Sequence, residues 1–129
     1  MARILIIDDD DNLRALLGQV LTSAGHEVVL AADGKEGVNL YRAAPADLVV
    51  TDLFMPGQEG LETIVELRRE FPGVAIIAMS GKTIASKVLP AAERLGAVGT
   101  LEKSFSADEL LLAVDKALRA ASKEDGVRE

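Results

Sequence analysis

At 129 residues, 49% of them hydrophobic, the chain holds enough apolar material for one well-filled core and predicts a single domain. Its net charge of −7, without any lysine or arginine run, and its 3% aromatic content argue against direct binding to nucleic acid or an anionic membrane. With no cysteine, a disulfide framework and a thiolate metal site are excluded, which suits a reducing, cytoplasmic setting.

Short apolar, β-branched runs alternate with amphipathic segments, the pattern of repeated βα units around a parallel sheet. The run 3–7 (RILII) predicts a strand buried on both faces, followed by Leu13, Leu16, Leu17, Val20, Leu21 and Ala24 at helical spacing up to Gly25. The segment 27–32 (EVVLAA) is the second strand, and Asp33 with Glu36 forms a capping-box pattern for the second helix. Strand three covers 47–51 (DLVVT). A helix over 59–71, with Leu61, Ile64, Val65 and Leu67 turned inward, ends at Pro72 and Gly73. Strand four covers 74–79 (VAIIAM). The helix from Ser86 to Leu95 contains Pro90, which is tolerated only in a first turn. Strand five covers 98–102 (VGTLE). Ser106 and Glu109 then cap a last helix with the stripe Leu110, Leu111, Val114, Ala117 and Leu118. Residues 1–121 form the domain, and 122–129 read as a flexible polar tail. The apolar stretch behind Met1 is too short for a signal peptide, and no stretch is long enough to span a membrane.

Right-handed crossovers place every strand's C-terminal end on one edge of such a sheet, the edge where ligands bind. Strand one leads into Asp8 and Asp9, strand three into Asp52 and strand four into Ser80, and strand five is followed by Lys103. Unit anions 4 Å apart repel by roughly 4 kcal/mol at an effective dielectric near 20. A hard divalent cation such as Mg²⁺ relieves that repulsion, so the crowded acids predict a metal site. An ionised aspartate beside it can attack phosphorus to give an acyl phosphate, with Lys103 adding a mobile cation and Ser80 a hydrogen bond. Asp10 and Asp11 read more simply as helix-capping acids. His26 stands alone and supports no catalytic triad. The Asp-x-Asp spacing within DDDD leaves open an aspartate-nucleophile phosphohydrolase, although the later acidic ligands and cap segment of such enzymes are missing. No glycine-rich or Ser/Thr/Asn-rich phosphate cradle supports a dinucleotide or flavin.

The ordered segments ILIIDDDDN, DLVVTDLFMPGQEGLE, IIAMSG and GTLEKSFSADELL resemble the receiver domain of two-component response regulators over essentially the whole chain. The resemblance implies a flavodoxin-like five-stranded parallel sheet, order 2-1-3-4-5, with helices on both faces. It makes Asp52 the phosphoacceptor, Asp9 a direct ligand of Mg²⁺ (or Mn²⁺), Asp8 a ligand through water, and the Phe54 carbonyl a further ligand. Ser80 and Lys103 match the side chains that contact the phosphoryl group, and Leu53 and Gly81 its backbone contacts. The implied donor is a phosphohistidine on a sensor histidine kinase or a histidine phosphotransfer protein, or a small acyl phosphate. Such a domain catalyses only its own phosphorylation and dephosphorylation. It is expected to act as a stand-alone switch, monomer or weak dimer, that signals to a downstream protein or along a phosphorelay. Phe54 would border the path of attacking water and slow dephosphorylation. Two positions depart from the family. Ser104 replaces the usual proline after the lysine, which predicts a trans Lys103–Ser104 bond and a shifted loop. Thr100 stands where an aromatic usually swings inward, so the switch lacks its usual ring. The departures motivate an alternative, a degenerate receiver that binds proteins without phosphorylation.

Overall fold

A computed structural model describes residues 2–53, 59–81 and 85–128, with the side chains of residues 59, 85–88 and 122–128 excepted. Strands β1 (Arg3–Ile7), β2 (Glu27–Ala31), β3 (Leu48–Asp52), β4 (Ile76–Ser80) and β5 (Gly99–Glu102) alternate with helices α1 (Asp11–Ser23), α2 (Gly34–Ala43), α3 (Glu59–Glu70), α4 (Ala85–Arg94) and α5 (Ala107–Arg128). All paired strands are parallel, in the order β2-β1-β3-β4-β5. The sheet is therefore flavodoxin-like, as expected, and helices cover both faces.

Two apolar layers follow from the two-residue period of the strands. Ile4 and Ile6 of β1, Leu48 and Val50 of β3, and Ile77 and Met79 of β4 meet Leu17 and Leu21 of α1 and Leu110 and Val114 of α5. Leu5, Ile7, Val49, Ile76 and Ala78 face the other way, against Val38 and Tyr41 of α2, Ile64 and Leu67 of α3, and Ala92 of α4. Each fully buried branched side chain contributes about 1.5–3 kcal/mol of transfer free energy, so these layers rather than helix propensity hold the helices in place.

Helix starts obey the capping chemistry. The Asp10 carboxylate accepts the N–H groups of Asn12 and Leu13. Ser106 and Glu109 exchange reciprocal bonds of 3.1 and 3.0 Å. Asp33 accepts the Glu36 N–H at 2.8 Å, while Glu36 reaches back to Ala32 rather than to Asp33 itself.

The helical stripes are narrower than the periodicity suggests. Leu16 and Val65 remain 54% and 41% exposed, because each sits one residue from the centre of its buried stripe, a rotation of about 100°. Pro90 lies inside α4, at its sixth residue and not in a first turn. The helix forgoes the N–H that would bond the residue 86 carbonyl, while Leu89 and Ala92 pack it against the core. The backbone of α5 continues as helix to Arg128, through the stretch assigned to a polar tail; the side chains there lie outside the described residues. Among the described residues, no helix is long and apolar enough to cross a membrane.

Gly60, buried in the first turn of α3, lets that turn lie directly on the end of β3, since a Cβ there would run into the Leu53 carbonyl. Backbone cannot yield as a flexible side chain does. Gly60→Ala is expected to cost about 1–3 kcal/mol, as overpacking does, and urea denaturation would measure the loss.

Candidate functional site

The register of the sheet assembles the site. β1 and β3 pair Ile7 with Thr51, so Asp8 and Asp52 each follow one step later at the same level. Alternation continues Ile4 and Ile6 into Asp8, Leu48 and Val50 into Asp52, and Leu101 into Lys103, so all three leave the sheet on the α1/α5 face. Lys103 Nζ lies 3.0 Å from Asp52 Oδ2 and 3.3 Å from Asp8 Oδ2. Asp8 and Asp52 are 0% and 1% exposed, whereas Asp9 faces solvent. One carboxylate oxygen from each of Asp8, Asp9 and Asp52 falls within a cluster no wider than 4.8 Å.

Lys103 does not neutralise this group. Three carboxylates against one ammonium leave two net negative charges when all are ionised, the charge of one divalent cation with opposite sign. Asp8 Oδ1 accepts the Asp10 N–H at 3.0 Å. Its buried Oδ2 makes no hydrogen bond, only the 3.3 Å ion pair to Lys103. Burial pushes the Asp8 carboxyl above its ordinary pKa, against the Asp10 amide and Lys103, with Asp52 adding to the rise. Burial also opposes the charge on Lys103, but the hydrogen bond to Asp52 and the charges of Asp52 and Asp8 outweigh it and raise that ammonium above the usual lysine value. An under-coordinated buried oxygen in an all-carboxylate donor set fits a hard, oxygen-seeking ion such as Mg²⁺. Asp8, Asp9 and Asp52 would hold it.

The structure thus gathers Asp8, Asp9, Asp52 and Lys103. Alternation places Ser80 and Thr100 in register with the other face of the sheet. Ser80 follows Ile76 and Ala78 onto the opposite face, and Thr100 pairs with Ala78 in the register. Ser80 is fully buried at the same sheet edge, and its hydroxyl donates to the Gly81 carbonyl at 3.4 Å. The Leu53 N–H, assigned above to the phosphoryl group, is already bonded to the Met79 carbonyl at 2.9 Å; it extends the β3–β4 ladder instead of pointing into the cluster. Phe54, with its carbonyl ligand and its effect on water, lies outside the described residues.

With Ser104 after it, Lys103 still lies beside Asp52 and Asp8. The described backbone has no cis peptide bond. The Lys103 N–H donates to the Ser80 carbonyl at 2.8 Å and the Phe105 N–H to the Glu102 carbonyl at 3.1 Å, a tight turn that carries the Lys103 side chain back over the strand ends.

Arg14 carries no motif signal, yet its guanidinium reaches the site's loop, donating to the Asp8 carbonyl at 2.8 Å and to Asp11 Oδ1 at 2.6 Å. From the sequence, an Arg three residues after an Asp on a helix predicts only an exposed ion pair.

The family model for the response regulator receiver domain matches residues 4–115. The transcriptional regulatory protein GlrR of Escherichia coli (strain K12) is 33% identical over 121 residues, 94% of this chain but 27% of that protein. The chain spans about a quarter to a half of the length of the curated relatives it matches. Among solved structures, a CheY-like response regulator receiver domain protein from Methanospirillum hungatei superposes with a TM-score of 0.89 at 29% identity, covering 96% of this chain and 98% of that one. The response regulator protein TrrA from Thermotoga maritima, in complex with Mg²⁺-BeF, gives a TM-score of 0.79 at 35% identity, covering 91% and 99%. The acid cluster thus stands in a known architecture, and the chain belongs to the response regulator receiver domain family, a family of signalling domains.

Proposed function

We propose that Asp52 accepts a phosphoryl group from a phosphohistidine on a sensor histidine kinase or histidine phosphotransfer protein, or from a small acyl phosphate. An Asp52 carboxylate oxygen attacks phosphorus, and the phosphorus–nitrogen bond of a phosphohistidine breaks with its electron pair leaving on the imidazole, or the phosphorus–oxygen bond of an acyl phosphate breaks with its pair leaving on the carboxylate; the product is an acyl phosphate on Asp52. The step needs no general base, because a carboxylate oxygen is itself a competent nucleophile. A Mg²⁺ or Mn²⁺ ion held by Asp8, Asp9 and Asp52 would supply charge neutralisation for the phosphoryl oxygens. Lys103 moves from the carboxylate to the new phosphoryl charge, and Ser80 and the Gly81 backbone close on it from the neighbouring strand end.

One observation carries this reading: three carboxylate oxygens within 4.8 Å beside a lysine 3.0 Å from Asp52. The relative solved with Mg²⁺-BeF supports the choice of metal. The added charge then biases the surface formed by α4, β5 and α5 towards a downstream protein or a further histidine. Thr100 offers no ring to swing inward, so the bias passes through Ser80 and its strand neighbours.

Intact-mass measurement with acetyl phosphate tests the proposal. One phosphoryl group per chain is expected, mapped to Asp52 by peptide fragmentation, with Mg²⁺ present and none with EDTA. No label in Mg²⁺ would leave a receiver that binds proteins without phosphorylation, and steady multiple turnover would favour a phosphohydrolase.

A further inference from the structure

The Arg14 side chain is only 18% exposed, low for an arginine on a first helical turn. Its guanidinium spans from the loop that carries the acids to the first residue of α1. One nitrogen donates to the Asp8 carbonyl at 2.8 Å, and another holds Asp11 Oδ1 at 2.6 Å. The carbonyl it grips belongs to the peptide that joins Asp8 to Asp9. Fixing that carbonyl fixes the plane containing the Asp9 nitrogen and Cα, and so the direction in which the Asp9 side chain leaves. On the other flank, the Asp10 N–H is tied to Asp8 Oδ1 at 3.0 Å, and the Asp10 carboxylate caps α1. Asp9 is thus the solvent-facing member of the cluster, carried on a short loop clamped from both sides.

We infer that Arg14 is a positioning residue of the metal site, holding the Asp8–Asp9 peptide so that the Asp9 carboxylate points at those of Asp8 and Asp52. The inference rests on the metal reading proposed above. It makes a prediction opposite in sign to simple electrostatics. A guanidinium beside a cation site repels the incoming ion, so removing it should tighten Mg²⁺ binding if charge were its main effect. If it orders the donor set, removing it weakens binding, as loss of an outer-sphere support typically does by 10–100-fold.

The test is calorimetric titration of MgCl2 into the whole chain as wild type, Arg14→Ala and Arg14→Lys, with melts in EDTA to establish that each variant is folded. Arg14→Ala is expected to bind Mg²⁺ about tenfold more weakly. Arg14→Lys, which keeps the charge but lacks the planar fork that reaches both acceptors, should fall between it and wild type. The Mg²⁺ concentration that half-saturates labelling by acetyl phosphate should move by the same factors. Equal or tighter Mg²⁺ binding by folded Arg14→Ala overturns the inference. Should Arg14→Ala fail to fold, Arg14→Lys decides: weakened binding supports the role, and wild-type affinity overturns it. Absence of Mg²⁺ binding by wild type would overturn the metal reading itself, a result distinct from equal binding by all three chains.

Discussion

Asp8→Asn should melt several degrees above wild type in EDTA at neutral pH, and Mg²⁺ should then close most of the gap. The Asp8 carboxylate is fully buried, faces a second buried carboxylate, and has one oxygen without a hydrogen-bond donor. Its pKa in the folded chain is raised, with burial the largest cause. A raised acid destabilises the fold as the pH climbs. The penalty is absent below the ordinary carboxylate value, grows between the unfolded and folded values, and is full above both. Asparagine keeps an acceptor for the Asp10 N–H and removes the charge, at the expense of the ion pair with Lys103. The raised pKa reflects burial and the Asp52 charge together outweighing the Asp10 amide and Lys103. Because Lys103 keeps its pair with Asp52, the change leaves no buried charge unpaired, and relief of a carboxylate repulsion of roughly 4 kcal/mol at 4 Å and an effective dielectric near 20, less the lost ion pair, amounts to several degrees for a domain of this size. The advantage should vanish in acid, where wild-type Asp8 is protonated. Metal acts in the opposite direction. At one hundred times its Kd, Mg²⁺ adds about 2.7 kcal/mol to wild type, and about 0.4 kcal/mol to a variant that binds a hundredfold more weakly. Melts in EDTA and in Mg²⁺ settle the matter: a variant no more stable than wild type in EDTA, or one stabilised equally by Mg²⁺, contradicts the account.

Much of this arrangement is legible before any coordinates, and the reason is topological. Repeated βα units with one handedness leave no choice about where Asp8, Asp9, Asp52 and Lys103 can go, because each ends a strand or lies within two residues of its end. Capping residues such as Asp33 and Ser106 with Glu109 are equally legible, since their bonds are local. What escapes the sequence depends on backbone placement at finer scale. Ser80 is one residue beyond Met79, so alternation turns its side chain to the other face even though it ends at the same edge. The Leu53 N–H looks available until the ladder with Met79 is seen to continue past the strand. Pro90 is admitted inside α4 by packing, which no local rule contains. Arg14 acts through a carbonyl, and a carbonyl is present at every residue, so no pattern of side chains could single it out.

Lys103→Met should slow labelling of Asp52 by about 10²–10³ at saturating Mg²⁺, the usual consequence of removing a preorganised donor from a developing charge, while binding Mg²⁺ more tightly than wild type. The two effects have one origin. The ammonium lies 3.0 Å from Asp52 and 3.3 Å from Asp8, where under the proposed function it would compete with a metal ion for the same oxygens and follow charge onto a phosphoryl group. Without metal, the methionine variant leaves its buried acids with no counter-charge from this position and should lose up to about 3 kcal/mol, the low end for a broken buried pair because Lys103 keeps some contact with water. Mg²⁺ should restore that loss but not the rate. The pH dependence follows from the raised pKa of Lys103. Its stabilising contribution is complete below the ordinary lysine value and disappears as the pH rises through the higher folded one, so the alkaline fall in wild-type stability should be shallower in Lys103→Met. Calorimetry for Mg²⁺, timed intact-mass labelling and melts across alkaline pH read these separately. A variant that labels at the wild-type rate would remove Lys103 from the chemistry, and one that binds Mg²⁺ no more tightly would mean that lysine and metal do not share the oxygens of Asp8 and Asp52.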